Sequence, residues 1–129
     1  MMTSPIRCPA GLGLSVGTLV LVVGLAGFVG GALAHHGWGS YDANRVLRVT
    51  GRVAEVQWQN PHVLLRLPAE GHQWEVVLAP ISRMEARGVR PEMLAAGAEV
   101  GVEGYPSTRH QHEMRAERIR VAGQSFEMR

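Results

Sequence analysis

Histidine is the residue whose number and spacing point most directly to chemistry in this chain. Six are present: His35 and His36 side by side, His62 and His72 singly, and His110 and His112 one residue apart. All six follow an uncharged stretch, residues 11–34, that ends in Ala32-Leu33-Ala34. A chain cut after Ala34 begins with His35, whose free α-amine then sits beside its own imidazole. Amine and imidazole nitrogens of one residue form a chelate, and the His36 imidazole adds a third nitrogen. Such an all-nitrogen set favours Cu(II), which heads the divalent affinity order and accepts tetragonal geometry. Zinc fits the same donors when a carboxylate or an open position completes a tetrahedron. The plain alternative is a polar, solvated chain start that holds no metal.

His62 ends the segment Trp58-Gln59-Asn60-Pro61-His62. The asparagine can bond its local backbone and the proline fixes φ, so the segment reads as a turn between strands. Two readings of His62 stay open: a strand-start imidazole bonded to a nearby carbonyl, or a third side-chain ligand beside the N-terminal pair. The candidate metal set is therefore His35, His36 and His62, with copper as the implied ion, and Trp38, Trp58 and Asn60 form a candidate ligand face. His110 and His112 point to one side if their segment is extended, because side chains in a strand repeat every second residue. An exposed loop is the other reading. His72, next to the Glu70-Gly71 turn, reads as solvated. Met84, Met93, Met114 and Met128 are soft donors, but their irregular spacing fits core packing better.

Enzyme templates are missing from residues 35–129. That stretch contains no Gly-x-Ser-x-Gly elbow, P-loop, His-Glu-x-x-His or Cys-x-x-Cys. The one cysteine, Cys8, precedes the apolar run, so an exported chain has no thiol nucleophile and no lipidation site. A binding module is the reading that remains, with no catalytic residue assigned. Charge narrows its partners. The chain of 129 residues carries net charge +2, and every one of its 13 cations is arginine. Nucleic-acid binding needs a strongly basic groove with stacking aromatics, which this balance disfavours. An oligosaccharide, a peptide or another envelope protein fits better, with Trp38, Trp58 and Trp74 available for stacking.

The N-terminal quarter reads as an export signal: Arg7, an apolar run and a small-x-small exit at Ala32-Leu33-Ala34. Residues 1–34 are then the signal peptide, residues 35–129 the mature domain, and the compartment is the periplasm or the exterior. A retained inner-membrane anchor is the alternative, since 24 uncharged residues can cross a bilayer core. Seven glycines within the run weaken that reading.

The mature domain reads mostly as strands. Residues 45–58 alternate until the apolar parity shifts to Val56 and Trp58, which predicts a bend near Ala54-Glu55. A second strand covers residues 62–67 and a third residues 73–79, with Trp74, Val76 and Leu78 inward. Ser82 is the expected cap of a short helix through Arg87, stopped by Gly88. Pro91 starts a further helical turn through Leu94, closed by Gly97. Val100 and Val102 mark a fourth strand, with Glu99 and Glu103 facing water. Residues 113–121 form a fifth, with a second parity shift between Ala116 and Ile119. Three strands, a helix and two strands is the order of an OB-type barrel, although an SH3-like roll has similar periodicity. The expected fold is all-β with one short helix: a small OB-like five-stranded barrel or curled antiparallel sheet after an N-terminal signal helix. Its expected core is Val53, Val63, Leu65, Val76, Leu78, Val100, Val102 and Ile119.

Ala34-His35-His36, Thr50-Gly51-Arg52-Val53 and the Trp-x-Asn-Pro-His of residues 58–62 occur in one order. Trp74-Glu75, Arg87-Gly88 and Leu94-x-x-Gly97 follow. This order resembles domain of unknown function 6152, a family of small exported bacterial proteins, over about residues 34–122. The resemblance implies an exported β-rich domain and supplies no activity or catalytic residue.

Cleavage between Ala34 and His35 is directly measurable. The mass of the exported protein should be that of residues 35–129. A full-length species extracted from membranes would instead establish the anchor.

Overall fold

The computed structural model describes residues 37–129. The expected signal segment and the His35-His36 pair lie outside the described residues. Seven strands make one sheet: β1 Leu47–Arg52, β2 Glu55–Gln57, β3 Leu64–Ala69, β4 His72–Val77, β5 Glu99–Pro106, β6 Glu113–Val121 and β7 Gln124–Glu127. Between β4 and β5 come the helix α1, Ile81–Ala86, and a 3-10 turn, Pro91–Leu94. The all-β class with one short helix is therefore observed. No helix among the described residues is long and apolar enough to cross a membrane.

The strand count departs from five for two reasons. The expected first strand is divided into β1 and β2, and β7 is added at the end. The order across the sheet is β1-β5-β6-β4-β3-β2, with β7 also on β6. β1 and β2 thus stand at opposite ends of the order although Val53 and Ala54 alone separate them in the chain. Val53 N donates to Ala98 O at 2.9 Å, and Ala54 N donates to Arg66 O at 2.9 Å. The chain therefore changes partners within two residues, from the β5 side to the β3 side. The sheet curls until its two ends meet at this point, although no strand ladder closes the ring.

The sheet is not wholly antiparallel. β4 and β6 pair in parallel, with Val76 opposite Met114. A parallel neighbour requires a crossover, which α1, the 3-10 turn and the β5–β6 hairpin supply. The helix begins one residue before the expected Ser82 and uses no side-chain cap. Pro80 precedes it, and its carbonyl accepts from Arg83 N and Met84 N, both at 3.0 Å. Gly88, at φ 86°, ends it.

Every expected core residue is buried, and Met84, Met114 and Met128 are buried with them. These three methionines serve as packing. Trp74 is half-buried against the core, and its Nε1 is buried with no hydrogen-bond partner. The parity shift in residues 113–121 is a bulge: Arg118 faces Glu103, whereas Ala116 faces Gly104, leaving Glu117 extra. The bulge brings the strands close together. A Cβ on Gly104 would lie 2.0 Å from Arg115 O, so no side chain fits there unless the strands move apart.

Two substitutions gauge this account by urea unfolding. Leu65→Ala removes a fully buried side chain and should cost roughly 2–4 kcal/mol. Gly104→Ala adds one methyl group and should still cost roughly 1–3 kcal/mol, because β5 and β6 must separate to admit it.

Candidate functional site

The start of β6 carries charge into the interior. Glu113 and Arg115 are each only 7% exposed, and buried charges need specific partners. Tyr41 supplies one, donating its hydroxyl to Glu113 Oε1 at 2.8 Å. His62 supplies another, its Nε2 lying 3.1 Å from Arg115 Nη2. Arginine has no acceptor atom, so Arg115 donates and His62 presents its Nε2 lone pair. The Trp38 ring then covers the guanidinium, with Arg115 Cζ 4.8 Å and Arg129 Cζ 4.7 Å from the ring centroid. Contacts of this kind are worth about 0.5–2 kcal/mol each, more as they are desolvated. Tyr105 meets the same ring edge-on at 6.2 Å and donates its hydroxyl to Glu117.

Burial, and after it the Glu113 carboxylate, push the Tyr41 hydroxyl up from its ordinary 10.0. Burial pushes the Arg115 guanidinium down; Tyr41 opposes that shift and Arg83 adds to it. Divalent-cation binding by His62 requires Nε2 to leave Arg115 first. Among the described residues no group of three or more His, Cys, Asp or Glu side chains is placed to hold a metal.

A second neighbourhood is a groove of about 630 Å³ at one end of the sheet. β4 contributes His72 and Trp74, the β5–β6 loop contributes His110 and His112, and Arg45 and Arg109 lie on the lining. The His72 and His112 rings stack with centroids 4.0 Å apart, and Trp74 meets His112 edge-on at 5.5 Å. The loop is fastened at both ends. Ser107 N donates to Glu113 O at 2.9 Å and Thr108 N to Ser40 O at 2.9 Å, while the Ser107 hydroxyl accepts from Arg109 N and His110 N.

The expected site residues are put to separate uses. Trp38 covers Arg115 instead of offering an open stacking face. Trp58 packs against the core, and Asn60 Oδ1 accepts from Ile81 N at 3.4 Å, tying the turn to the start of α1. His62 lies just ahead of β3, and its Nε2 meets the Arg115 guanidinium at 3.1 Å. His72 does not stand alone in solvent: it is exposed, yet it stacks on His112. His110 and His112 do not share a strand face, because their segment is a turn and His112 has φ 55°. The pairing that forms is between the first residue of β4 and the β5–β6 loop, distant in sequence, and no spacing rule reports it. Glu103 is also more than a solvent-facing residue, because it holds both Arg48 and Arg118.

The Tyr41–Glu113 bond gives stability a definite pH dependence. A phenol held protonated by the fold contributes fully below the ordinary value of 10.0, and that contribution is lost as pH rises through the higher folded value. Tyr41→Phe should abolish this alkaline loss and cost about 1–3 kcal/mol at neutral pH, since buried Glu113 loses its donor. Urea unfolding of both proteins across the alkaline range measures the two effects.

Comparison with other proteins places the chain without adding an activity. One similar solved structure is a crystal structure of TiaS in complex with an isoleucine transfer RNA and ATP, with 19% identity, a TM-score of 0.48, and coverage of 63% of this chain and 19% of that one. The chain thus spans about a fifth of the length of that protein. No curated protein matches it. The model of the family of unknown function DUF6152 matches residues 22–115, nearly three quarters of the sequence, and the chain belongs to that family.

Proposed function

We propose that the chain is an exported, non-enzymatic binding module and that its ligand lies in the groove between β4 and the β5–β6 loop. The observation that carries this reading is convergence. Three of the four described histidines meet Trp74 and two arginines in one depression of about 630 Å³. Small-ligand sites typically measure roughly 300–1,000 Å³ and combine ring surfaces with a few directed polar groups. Arginine, serine and histidine supply donors, Glu70 supplies an acceptor, and His72 supplies an exposed ring. Such a lining suits an extended, hydrogen-bonding ligand of the oligosaccharide or peptide class.

Amide chemical-shift titration against panels of short oligosaccharides and peptides tests the reading. Shifts should concentrate at residues 72–74 and 107–113, and both His72→Ala and His112→Ala should weaken the interaction. Shifts confined to other faces would overturn the assignment of the groove.

Copper binding at the exported N-terminus is the second reading, supported by Trp38. That residue lies three positions after His35, and its ring packs on the Arg115 guanidinium that bonds His62. This anchorage holds the following chain while the amine, His35 and His36 provide the chelate. His62 joins only by exchanging Arg115 for the metal, so the core ligand set is the terminal pair. Calorimetry with Cu(II) should show tighter binding to protein starting at His35 than to protein carrying one extra preceding residue. His62→Ala should change the affinity little, and His36→Ala should lower it. Equal affinity of the extended and unextended forms would eliminate the amine chelate.

A further inference from the structure

The solvent face of the sheet carries a second feature, remote from the groove in its lining residues. Four strands set Arg48, Glu103, Arg118 and Glu127 in register across β1, β5, β6 and β7. Each neighbouring pair is bonded: Arg48–Glu103 at 2.7 Å, Glu103–Arg118 at 3.3 Å and Arg118–Glu127 at 2.6 Å. Glu127 first, and then Glu103 and Glu117, push the Arg118 guanidinium up from its usual value. Signs alternate along this row, and its charge is internally balanced.

The next row on the same face breaks the alternation. It reads Thr50, Gly101, Arg120 and Ser125. No carboxylate stands in it, and Arg120 forms no ion pair among the described residues. Because Gly101 has no side chain, the row is hollow beside Arg120. A depression of about 160 Å³ lies there, lined by Arg48, Thr50, Gly101, Glu103, Arg118 and Arg120. Three guanidinium groups thus face one carboxylate, which Arg48 and Arg118 already share. A second hollow of about 440 Å³, which also touches Glu99, continues past Arg120 toward Ala122 and Gly123.

We propose that this depression is a binding site for a tetrahedral oxyanion, a phosphoryl or sulfuryl group, with Arg120 as its principal ligand. Guanidinium presents paired donors that match such an anion, and charge-assisted bonds of this type are among the strong ones. The Thr50 hydroxyl adds a donor on the opposite wall. Gly101 is the floor, and its missing side chain makes the room. A Cβ there would lie 3.7 Å from Thr50 Oγ1 and 3.9 Å from Arg120 Cβ, ordinary contact distances. Alanine therefore fits the fold while filling the floor, which separates the site's occupancy from the strand's stability. The anion can be free in solution or borne on a saccharide, and the chemistry at the pit is the same.

Amide chemical-shift titrations with inorganic phosphate, inorganic sulfate and a sugar phosphate, each against sodium chloride at matched ionic strength, test the site. The oxyanions should give saturable shifts at Thr50, Gly101 and Arg120, and chloride should not. Arg120→Ala should weaken binding by about tenfold or more, the worth of one charge-assisted bond. Gly101→Ala should weaken it with no loss of thermal stability. Arg90→Ala, which removes an equal charge outside the depression, should leave the affinity unchanged. Tighter binding of the sugar phosphate than of inorganic phosphate would assign the natural source to a saccharide, and the reverse order to the free ion. Shifts that never saturate, that chloride reproduces, or that Arg90→Ala diminishes as much as Arg120→Ala does would overturn the proposal.

Discussion

Burial of Glu113 and Arg115 at the head of β6 is the constraint around which the rest of this domain is arranged. β6 pairs with β5, β4 and β7, so its residues cannot turn to water without opening the sheet. A buried carboxylate or guanidinium left without partners costs several kcal/mol. The partners come from segments that hold no strand of their own. Tyr41 and Trp38 arrive from the chain ahead of β1, and His62 arrives from the turn ahead of β3. The polar interior thus recruits both segments and fixes where the N-terminal part of the described chain runs. The same arrangement seats the β5–β6 loop, since Ser40 O accepts from both Thr108 N and Thr108 Oγ1. One wall of the histidine groove is held in this way by the polar interior.

The curl of the sheet follows from two local irregularities. At Val53-Ala54 the chain changes hydrogen-bonding partners, and at Glu117 the bulge between β5 and β6 admits one extra residue. Bulges bend a strand and increase its twist. Together they wrap seven strands around an apolar interior of valine, leucine, isoleucine and methionine. The outer face is left for charge, where arginine and glutamate alternate across strands. Exposed pairs of this kind contribute little stability singly. Their ordering still sets the local field, because a row that omits its carboxylate presents a positive hollow.

Much of this fold is legible in the sequence, and the reasons differ by element. The inward valines and leucines of β1, β3, β4 and β5 declare themselves through period-two alternation. Both irregularities are visible as parity shifts, near Ala54-Glu55 and between Ala116 and Ile119. β7 is not visible, since Gln124-Ser125-Phe126-Glu127 contains one apolar residue and no alternation. Its hairpin turn is Ala122-Gly123, both at positive φ, without the Asn-Gly or Asp-Gly signal of such turns. The parallel β4–β6 pairing is a long-range choice that local pattern does not encode. The candidate sites were less legible for the same reason. His72 meets His112, and His62 meets Arg115, across separations of 40 and 53 residues. The sequence shows histidines in number, but only the sheet decides which of them are neighbours.

A double-mutant cycle on Tyr41→Phe and Glu113→Gln tests the central claim most directly, because it isolates the bond that ties the leading segment to β6. Equilibrium unfolding of the four proteins should give a coupling energy of about 1–3 kcal/mol, as expected for a buried hydrogen bond to a charged acceptor. Effects that add to within about 0.3–0.5 kcal/mol would mean that the two side chains act independently. The buried charge would then not be what holds the segment in place.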